Sequence, residues 1–488
     1  MDFQKALRPG AVVYFAGIKG TGMCALAELM FNAGVRVSGS DISEVFYTDA
    51  ILRELGIPYF ESFDPAHIQG PIDLLIHSAA WSPETNVELA EALKRGLPVL
   101  KYTDALGAYS AGFDSSGITG VHGKTTTTAL AGTLIRGAGL PAQILTGSAV
   151  AGFNGHSTLN LGNKYFVAET CEYRRHFLSF HPKRIVLTAV ESDHQDYFPT
   201  YKSIRDAFVE YGRLLPPGGA LIYCADDPGA AEVAGILEKE NRGLRFVPYG
   251  FCASGDFGIT ACDVQDEQTL MRVRGFPGEF RLRIPGRHTA LDAAAALALT
   301  SLLVKTEFGN DEGGGENGWN EARRENVRKA LEEFRGSKRR SEILGEAGGI
   351  LFMDDYGHHP TAIKTTLEGL RAFYPRRRLV VSFMSHTYTR TAALLDQFAA
   401  SFEKADVVFF HKIYASAREL YHGGVTGKSL YEKTRALRGE VYYVDEPLDA
   451  AAPLEKILKP GDLFLSLGAG NNWPLGERLL AYFRGRDP

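Results

Sequence analysis

A glycine- and threonine-rich stretch has the residue types that a phosphate-binding loop requires. It reads GITGVHGKTTTTA from Gly117 onward, and Lys124 and Thr125 follow Gly123 directly. Glycines let backbone N–H groups approach phosphate oxygens, the lysine would meet the β- and γ-phosphates, and the threonine hydroxyl could ligate Mg²⁺. Ile118 stands where the usual GxxxxGK[ST] pattern has its first glycine. We therefore predict a shortened ATP–Mg²⁺ loop, comprising Gly120, Val121, His122, Gly123, Lys124, Thr125 and Thr126.

Two further residues could ligate metal. Glu169 in FVAETCEYRRHF and His194 in TAVESDHQDYF each follow an apolar run that reads as a strand. In an open α/β sheet, ligands gather at the carboxyl ends of strands. We predict that Glu169 and Thr125 serve the ATP-bound Mg²⁺ and that His194 serves a second divalent ion, with Mn²⁺ accepted in place of Mg²⁺. Taken alone, His194 would more simply be a surface histidine in a polar turn.

A second glycine loop, GIKGTG from Gly17 to Gly22, also lies between a predicted strand and a predicted helix. Such glycines can bring backbone N–H groups to a diphosphate, and Asp41 ends the next strand, where it could meet a ribose hydroxyl. Tight strand-to-helix turns need glycine in any case. For this loop alone, the structural and the functional interpretations are evenly matched.

The elements that must position these loops are alternating strands and helices. AVVYFAG, MCALAELMFNAG and VRVSGSD begin the first set, SSGITGV begins the second, and GILFMDD begins the third. This alternation predicts βαβ units with parallel sheets. We predict an α/β protein of three domains: a Rossmann-like domain at 1–108, a P-loop-type central ATPase domain at 109–336 and a Rossmann-like domain at 337–488. The glycine-rich, acidic segment near residues 306–320 is expected to be a flexible surface insertion.

Composition narrows the function class. The formal net charge of -5 gives no electrostatic reason to bind nucleic acid or an anionic membrane. The five cysteines form no CxxC pair, which favours a reducing compartment. The N-terminus has no long apolar segment of the signal-peptide type, and the most apolar tract, 290–304, is expected to be too short to span a bilayer. We expect a cytoplasmic protein.

Several motifs together resemble the Mur ligase family of peptidoglycan synthesis. In chain order they are GVHGKTTTT, AETCEYRRHF, AVESDHQDYF, IPGRHTALDAAAA, FRGSKRR, MDDYGHHPT and MSHTYTRT. The resemblance runs from about Val12 to about Gly470. Because the family has a short GxxGK[ST] loop, it does not need a glycine at position 118, where this chain has Ile118. Ala207 is followed by Phe208, and MSHTYTRT contains H-x-x-T-R; both are similar to the alanine-adding branch.

The resemblance implies an ATP-dependent ligase that joins L-alanine to the carboxylate of UDP-N-acetylmuramate through an acyl phosphate. It implies a bacterial cytoplasmic enzyme that is a monomer or a weak homodimer. Two alternatives stay open. A recycling ligase that joins a peptide to the same sugar would share nearly every motif. A non-catalytic ATP-binding regulator would need neither the metal ligands nor Arg390.

The resemblance also implies residue roles. Catalysis would involve Lys124, His194, His358 and Arg390, with His359 an alternative to His358 in handling the amine's proton. Further ATP contacts would come from His288, Arg339 and Asp355. UDP-sugar contacts would come from Gly17, Gly20, Thr21, Gly22, Asp41 and Ser78, and His386 and Arg390 would hold the amino acid's carboxylate. The chain departs from the family at Thr289 and Asp292, where asparagines are usual. The segment ETCEY also replaces a more acidic segment of the family, and Glu172 remains there as a candidate site residue. Lys124 is expected to be exposed at its loop end.

Overall fold

The computed structural model describes residues 8–195, 197–265, 267–309, 316–415 and 423–485. Its contacts group the chain into two compact units. Unit 1 comprises Met1–Val190, Arg205–Tyr249 and Ala295–Ala330, and unit 2 comprises Glu191–Ile204, Gly250–Ala294 and Leu331–Pro488. Unit 1 contains two sheets and unit 2 a mixed sheet and a smaller antiparallel meander, in agreement with the predicted three-domain α/β fold. The boundaries at 108 and 336 stay predictions, and Ala108 lies inside a helix.

The first sheet of unit 1 is parallel and has the strand order β3-β2-β1-β4-β5. Its central strand β1 is almost wholly buried, as its apolar sequence VVYFA requires. The side chain of Asn86 caps α3 by accepting hydrogen bonds from two backbone N–H groups. The elements are β1 (Val12–Ala16), α1 (Thr21–Asn32), β2 (Arg36–Ser40), α2 (Thr48–Leu55), β3 (Tyr59–Phe60), β4 (Leu74–His77), α3 (Val87–Lys94), β5 (Val99–Lys101) and α4 (Tyr102–Ser110).

The second sheet of unit 1 has the order β12-β11-β10-β6-β9-β7-β8. Its strands are parallel except for β8, which pairs antiparallel with β7. The helix predicted after the phosphate loop is confirmed, with Leu130, Leu134 and Ile135 fully buried. The elements are β6 (Asp114–Thr119), α5 (Lys124–Ala138), β7 (Ala142–Val150), β8 (His156–Asn160), β9 (Tyr165–Glu169), β10 (Arg184–Leu187), α6 (Tyr201–Gly212), β11 (Ala220–Cys224), α7 (Pro228–Lys239) and β12 (Arg245–Gly250).

Unit 2 contains an antiparallel meander and a mixed sheet. The meander consists of β13 (Phe257–Gln265), β14 (Gln268–Val273) and β15 (Phe280–Leu282). The sheet has the order β16-β17-β21-β18-β19-β20 and is parallel except for β16. Its strands are β16 (Glu342–Ala347), β17 (Ile350–Asp355), β18 (Arg378–Phe383), β19 (Val407–Phe410), β20 (Val441–Tyr443) and β21 (Asp462–Leu467).

Helices cover both faces of this sheet, and two apolar clusters form between the layers. Neighbours in one strand enter opposite clusters, as Phe352 and Met353 do, because side chains alternate along a strand. The helices are α10 (Pro360–Phe373), α11 (Tyr388–Ala393), α12 (Leu395–Ala400), α13 (Gly427–Arg435), α14 (Ala451–Ile457) and α15 (Pro474–Arg484). The 3₁₀-helices of the chain include Pro65–Ile68, Ala151–Phe153, Tyr173–Ser179, Glu316–Gly318 and Pro447–Ala450.

Two helices belong in part to each unit: α8 (Arg287–Phe308) and α9 (Glu321–Glu333). With 22 residues, α8 is long enough to cross a bilayer, so the expectation that this tract is too short was wrong. Within the described residues it is the one helix of that length and composition, and 78% of its apolar window is buried inside the protein. Burial inside the protein therefore explains the apolar sequence of this helix. The insertion predicted near 306–320 falls between α8 and α9, and its residues 310–315 lie outside the described residues.

A buried histidine makes the stability of this fold depend on pH. His411 follows β19 and is 1% exposed; its Nε2 lies 2.8 Å from Ser382 Oγ and its Nδ1 lies 2.8 Å from the carbonyl oxygen of Val444. Burial lowers the pKa of His411 from 6.5 to about 4. The unfolded chain therefore binds more protons between these two values, so this contribution is complete above about pH 6.5 and is lost as the pH falls towards 4.

We predict that His411→Gln removes this dependence. Between about pH 7 and pH 4, the wild type should lose up to about 3 kcal/mol more unfolding free energy than the variant does. Denaturant unfolding at a series of pH values measures the difference. His181→Gln, which changes an exposed histidine, serves as the control. Parallel pH curves for the wild type and His411→Gln would contradict the assignment.

Candidate active site

The predicted phosphate loop joins the end of β6 to the start of α5. Gly120 and Gly123 have φ angles of +136° and +78°, which side chains other than glycine rarely adopt. A Cβ atom on Gly120 would lie 2.1 Å from Thr188 Oγ1, so the backbone approaches β10 too closely for any side chain. Val121 N donates to the carbonyl oxygen of Ala189 at 2.9 Å. The loop is therefore held against the end of β10.

Lys124 is not exposed, contrary to expectation. Its Nζ lies 3.0 Å from Glu172 Oε2 and donates to the carbonyl oxygen of Gly120 at 2.5 Å. The side chains of Lys124 and Glu172 are 14% and 2% exposed. Burial alone would lower the pKa of Lys124, but the carboxylate of Glu172 outweighs it and the pKa is raised above 10.5. Lys124 is therefore a cation held in a buried ion pair at the loop.

Thr125 and Glu169 are brought together, as predicted. Thr125 Oγ1 donates to Glu169 Oε2 at 2.8 Å, and Gly147 N donates to the same oxygen at 2.8 Å. Strand pairing produces this contact, because Ile118 of β6 lies opposite Glu169 of β9 in the parallel register. A hydroxyl beside a carboxylate is an all-oxygen donor set of the kind that Mg²⁺ prefers. These two residues therefore fit a magnesium ion.

The glycine loop of the first sheet is confirmed as a close-packed turn. A Cβ atom on Gly17 would lie 2.8 Å from Ser78 Cβ, so the ends of β1 and β4 meet there. Gly20 precedes the first residue of α1, Thr21. Asp41 accepts hydrogen bonds from the backbone N–H groups of Lys19, at 2.7 Å, and Ile42, at 2.8 Å, and burial raises its pKa. Asp41 thus braces the loop, and its contact with ribose stays a prediction.

A cavity of about 160 Å³ lies in unit 1 between this glycine loop and Glu169. A Cβ atom on Gly22 would lie 2.5 Å from the hydroxyl oxygen of Tyr102, so glycine is needed where the cavity narrows. The residues that matter for its chemistry are Thr21, Gly22, Tyr102, Glu169, Cys171 and His176. The cavity brings polar groups of the glycine loop and of the second sheet of unit 1 around one partly open volume.

In unit 2, the side chain of Arg390 is paired with a carboxylate that the sequence analysis did not single out. Its Nε and Nη2 atoms donate to Asp193 Oδ1 at 2.9 and 2.6 Å, and both side chains are buried. Although burial opposes ionisation, Arg390 holds the pKa of Asp193 well below 3.8. Nη1 of Arg390 lies 3.3 Å from His386 Nδ1, so the two residues predicted to hold the amino acid are adjacent.

His358 lies beside this group. Its ring centroid is 5.9 Å from that of His386, and its Nδ1 lies 3.0 Å from the carbonyl oxygen of Tyr356. Burial and then the positive charge of Arg390 lower the pKa of His358 well below 6.5. A histidine that is neutral at neutral pH can accept a proton, which is the property that its predicted role needs.

The other ATP-binding candidates of unit 2 are engaged with neighbouring groups. Asp355 accepts hydrogen bonds from the backbone N–H groups of Ser341 and Gly357, both at 2.7 Å. Arg339 donates to Asp354 Oδ2 at 2.9 Å and to two carbonyl oxygens near the end of β21. His288 Nδ1 is buried without a hydrogen-bond partner among the described residues, and burial lowers its pKa. The nucleotide contacts of these residues stay predictions.

His194 lies in unit 2, whereas Thr125 and Glu169 lie in unit 1. Its φ of +53° is unusual for a residue other than glycine, and its Nε2 is 3.9 Å from Asp193 Oδ2. That His194 ligates a second divalent ion stays a prediction.

Comparison with known proteins identifies the class. Three family models match consecutive stretches: the catalytic domain of the Mur ligase family at residues 12–114, the Mur ligase middle domain at 118–300, and the glutamate ligase domain of Mur ligases at 339–470. The UDP-N-acetylmuramate–L-alanine ligase of Treponema pallidum (strain Nichols) is 52% identical over 97% of each chain. That of Borreliella burgdorferi is 33% identical over 96% of this chain and 98% of its own.

Solved structures agree. The UDP-N-acetylmuramate–alanine ligase of Thermotoga maritima has a TM-score of 0.75 at 25% identity and covers 97% of this chain and 99% of its own. Fold, site and sequence together define a ligase of three α/β domains. The chain belongs to the Mur ligase family.

The buried Lys124–Glu172 pair generates a test of the phosphate loop. Lys124→Ala should abolish ligation and also destabilise the protein by roughly 3–5 kcal/mol, because the buried carboxylate of Glu172 loses the cation that neutralises it. Adding Glu172→Gln should recover much of that stability without recovering activity. Thermal unfolding and phosphate release measure the two effects separately. Normal turnover by a folded Lys124→Ala variant would refute the assignment of the loop.

Proposed function

We propose that this chain is an ATP-dependent ligase that joins L-alanine to the carboxylate of UDP-N-acetylmuramate. The products are UDP-N-acetylmuramoyl-L-alanine, ADP and phosphate, and the reaction belongs to peptidoglycan synthesis. The observation that carries the proposal is the phosphate loop with Lys124 in a chain that is 52% identical to a ligase named for this reaction. The adjacency of Thr125 and Glu169 supports it.

Amide formation in water requires an activated carboxylate, since an oxide dianion cannot leave. Transfer of the γ-phosphoryl group of ATP to the sugar's carboxylate gives an acyl phosphate, from which phosphate can leave after the amine attacks. Charge spreads over the phosphoryl oxygens during the transfer, so the protein must present cations and N–H groups that are already oriented. Lys124 and the backbone of Gly120–Lys124 supply both.

Magnesium would be held by the hydroxyl of Thr125 and the carboxylate of Glu169, with His194 ligating a second ion. When bound, the metal would neutralise charge on the phosphate oxygens. The contact of Thr125 Oγ1 with Glu169 Oε2, at 2.8 Å, supports the first site, because both oxygens are already directed at one point. The role of His194 rests on its position after a predicted strand and on the resemblance to the family.

The amino acid would be held by Arg390 and His386, with the guanidinium of Arg390 facing its carboxylate. His358 would take the proton that the amine loses, because it lies next to His386 and its lowered pKa leaves the ring unprotonated at neutral pH. The five free cysteines support a cytoplasmic site for the reaction, where ATP is also available. A monomer or weak homodimer stays the expectation.

The recycling ligase is the principal competitor. A murein peptide ligase from Psychrobacter arcticus shares the fold, with a TM-score of 0.66, but at 23% identity it supports no more than the fold. The 52% identity to an alanine-adding enzyme favours L-alanine as the acceptor. A regulator without catalysis is disfavoured by the paired Thr125 and Glu169, which nucleotide binding alone does not require.

One assay tests the reaction as a whole. Phosphate release should require ATP, UDP-N-acetylmuramate and L-alanine together, and omission of any one should reduce it to background. Mass spectrometry of the nucleotide-sugar product confirms which amino acid is attached. Turnover with L-Ala-γ-D-Glu-meso-diaminopimelate in place of L-alanine would establish the recycling ligase instead. ATP binding without release under any combination would establish the regulator.

A substitution at Thr125 tests the magnesium ligand. Thr125→Val keeps the shape and removes the hydroxyl, so turnover should fall by about 10²-fold or more, whereas Thr125→Ser should stay within about 10-fold of the wild type. Thr133→Val is the matched control, because Thr133 is a buried threonine of the same helix whose hydroxyl donates to the Ala129 carbonyl oxygen. Equal Mg²⁺ titrations for the Val and Ser variants at 125 would exclude the ligand role.

A further inference from the structure

A guanidinium group has two edges that can each bind a carboxylate through two parallel N–H bonds. One edge comprises Nε and Nη2, and the other comprises Nη1 and Nη2. In this protein Asp193 takes the first edge of Arg390, with distances of 2.9 and 2.6 Å. The second edge comprises one N–H of Nη2 and one N–H of Nη1, and the Nη1 nitrogen also contacts His386 Nδ1 at 3.3 Å.

Asp193 is itself held in place. The backbone N–H of His194 donates to Asp193 Oδ1 at 2.7 Å, so the same oxygen receives three hydrogen bonds. The segment is anchored a second time, because Thr361 Oγ1 donates to Glu191 Oε2 at 3.1 Å. On the arginine side of the ion pair, Thr387 joins His386 to α11, the helix that carries Arg390. Its φ of +67° is strained for a β-branched residue. Asp193 is thus held by the backbone of its own segment, and Arg390 lies in the helix that follows a constrained turn.

We propose that Asp193 is a positioning residue, which fixes the plane of the Arg390 guanidinium so that its Nη1–Nη2 edge faces the carboxylate of the incoming amino acid. The inference rests on the proposed function, because it needs Arg390 to bind that carboxylate. A merely stabilising ion pair is the alternative, but buried ion pairs contribute little net stability compared with apolar residues of similar volume. The need to hold the Arg390 guanidinium in one orientation, so that it can bind a second carboxylate, explains why this buried ion pair is present.

The net charge of the Arg390–Asp193 pair limits how the pair can attract the amino acid. Arg390 and Asp193 together carry no net charge, so the pair does not attract the amino acid through its overall charge. Recognition must depend on the direction of the two remaining N–H bonds. A lysine at position 390 would lack both edges, and an unrestrained arginine would lose orientation, so the pair and the fork are needed together.

Asp193→Asn tests the proposal in the full-length enzyme. It keeps an oxygen in a similar position but removes the negative charge, which weakens the two hydrogen bonds that orient the guanidinium. The apparent KM for L-alanine should therefore rise about 10- to 100-fold. kcat should change by less than about threefold, and the KM values for ATP and UDP-N-acetylmuramate by less than about twofold. Asp193→Glu, which restores the carboxylate at a longer reach, should recover part of the loss.

A matched control is an arginine–aspartate pair at the start of two strands of the mixed sheet of unit 2. Arg378 donates to Asp462 at 3.0 and 2.8 Å, and both residues begin strands of unit 2. Asp462→Asn should lower thermal stability without changing the KM for L-alanine. If Asp193→Asn behaves in the same way, or raises all three KM values together, Asp193 is structural and the proposal fails.

A double-mutant cycle decides whether Asp193 acts through Arg390. On an Arg390→Ala background, adding Asp193→Asn should change the L-alanine KM by less than about twofold, whereas independent effects would multiply. Multiplying effects overturn the proposal even if each single variant is impaired. Failure of the proposed function is recognised separately, because the wild type would then show no L-alanine-dependent phosphate release at all.

Discussion

The parallel pairing of β6 with β9 is the constraint on which the proposed phosphate site depends. It places Ile118 opposite Glu169, so the loop that leaves β6 and the carboxylate that ends β9 emerge side by side. A slip of one residue would turn Glu169 to the other face of the sheet and remove it from Thr125. Because the buried residues of both strands fix this register, the contact between the hydroxyl and the carboxylate is determined by the core of the sheet rather than by the loop.

Much of this arrangement could be predicted from the sequence, because it follows from patterns that are local. Alternation of apolar runs and amphipathic stretches predicted the strands and helices, and Gly-Lys-Thr at a strand-to-helix junction predicted the loop. Glu169 was found because it directly follows an apolar strand. The two-residue strand β3 and the antiparallel edge strand β16 were missed, since neither has a sequence pattern that separates it from a loop.

Side-chain pairing was the part that sequence could not supply. Glu172 lies 48 residues from Lys124, and Asp193 lies 197 residues from Arg390, so both contacts are made by the tertiary fold. The exposure of Lys124 was misjudged for the same reason, because a loop end is exposed only if nothing packs over it. One signal was available: both carboxylates lie within three residues of a predicted metal ligand, in segments that were already singled out.

The two ion pairs solve one electrostatic problem. An enzyme that binds phosphates and carboxylates needs cations at its site, yet an unpaired cation in a buried position is costly. Glu172 neutralises Lys124, and Asp193 neutralises Arg390 by accepting from the Nε and Nη2 atoms of the guanidinium, which leaves its Nη1–Nη2 edge to the proposed substrate. An arriving anion can then bind without expelling the counter-ion, provided that the donors already point towards it. In the proposed site, Asp193 therefore contributes orientation to Arg390 as well as neutralising its charge.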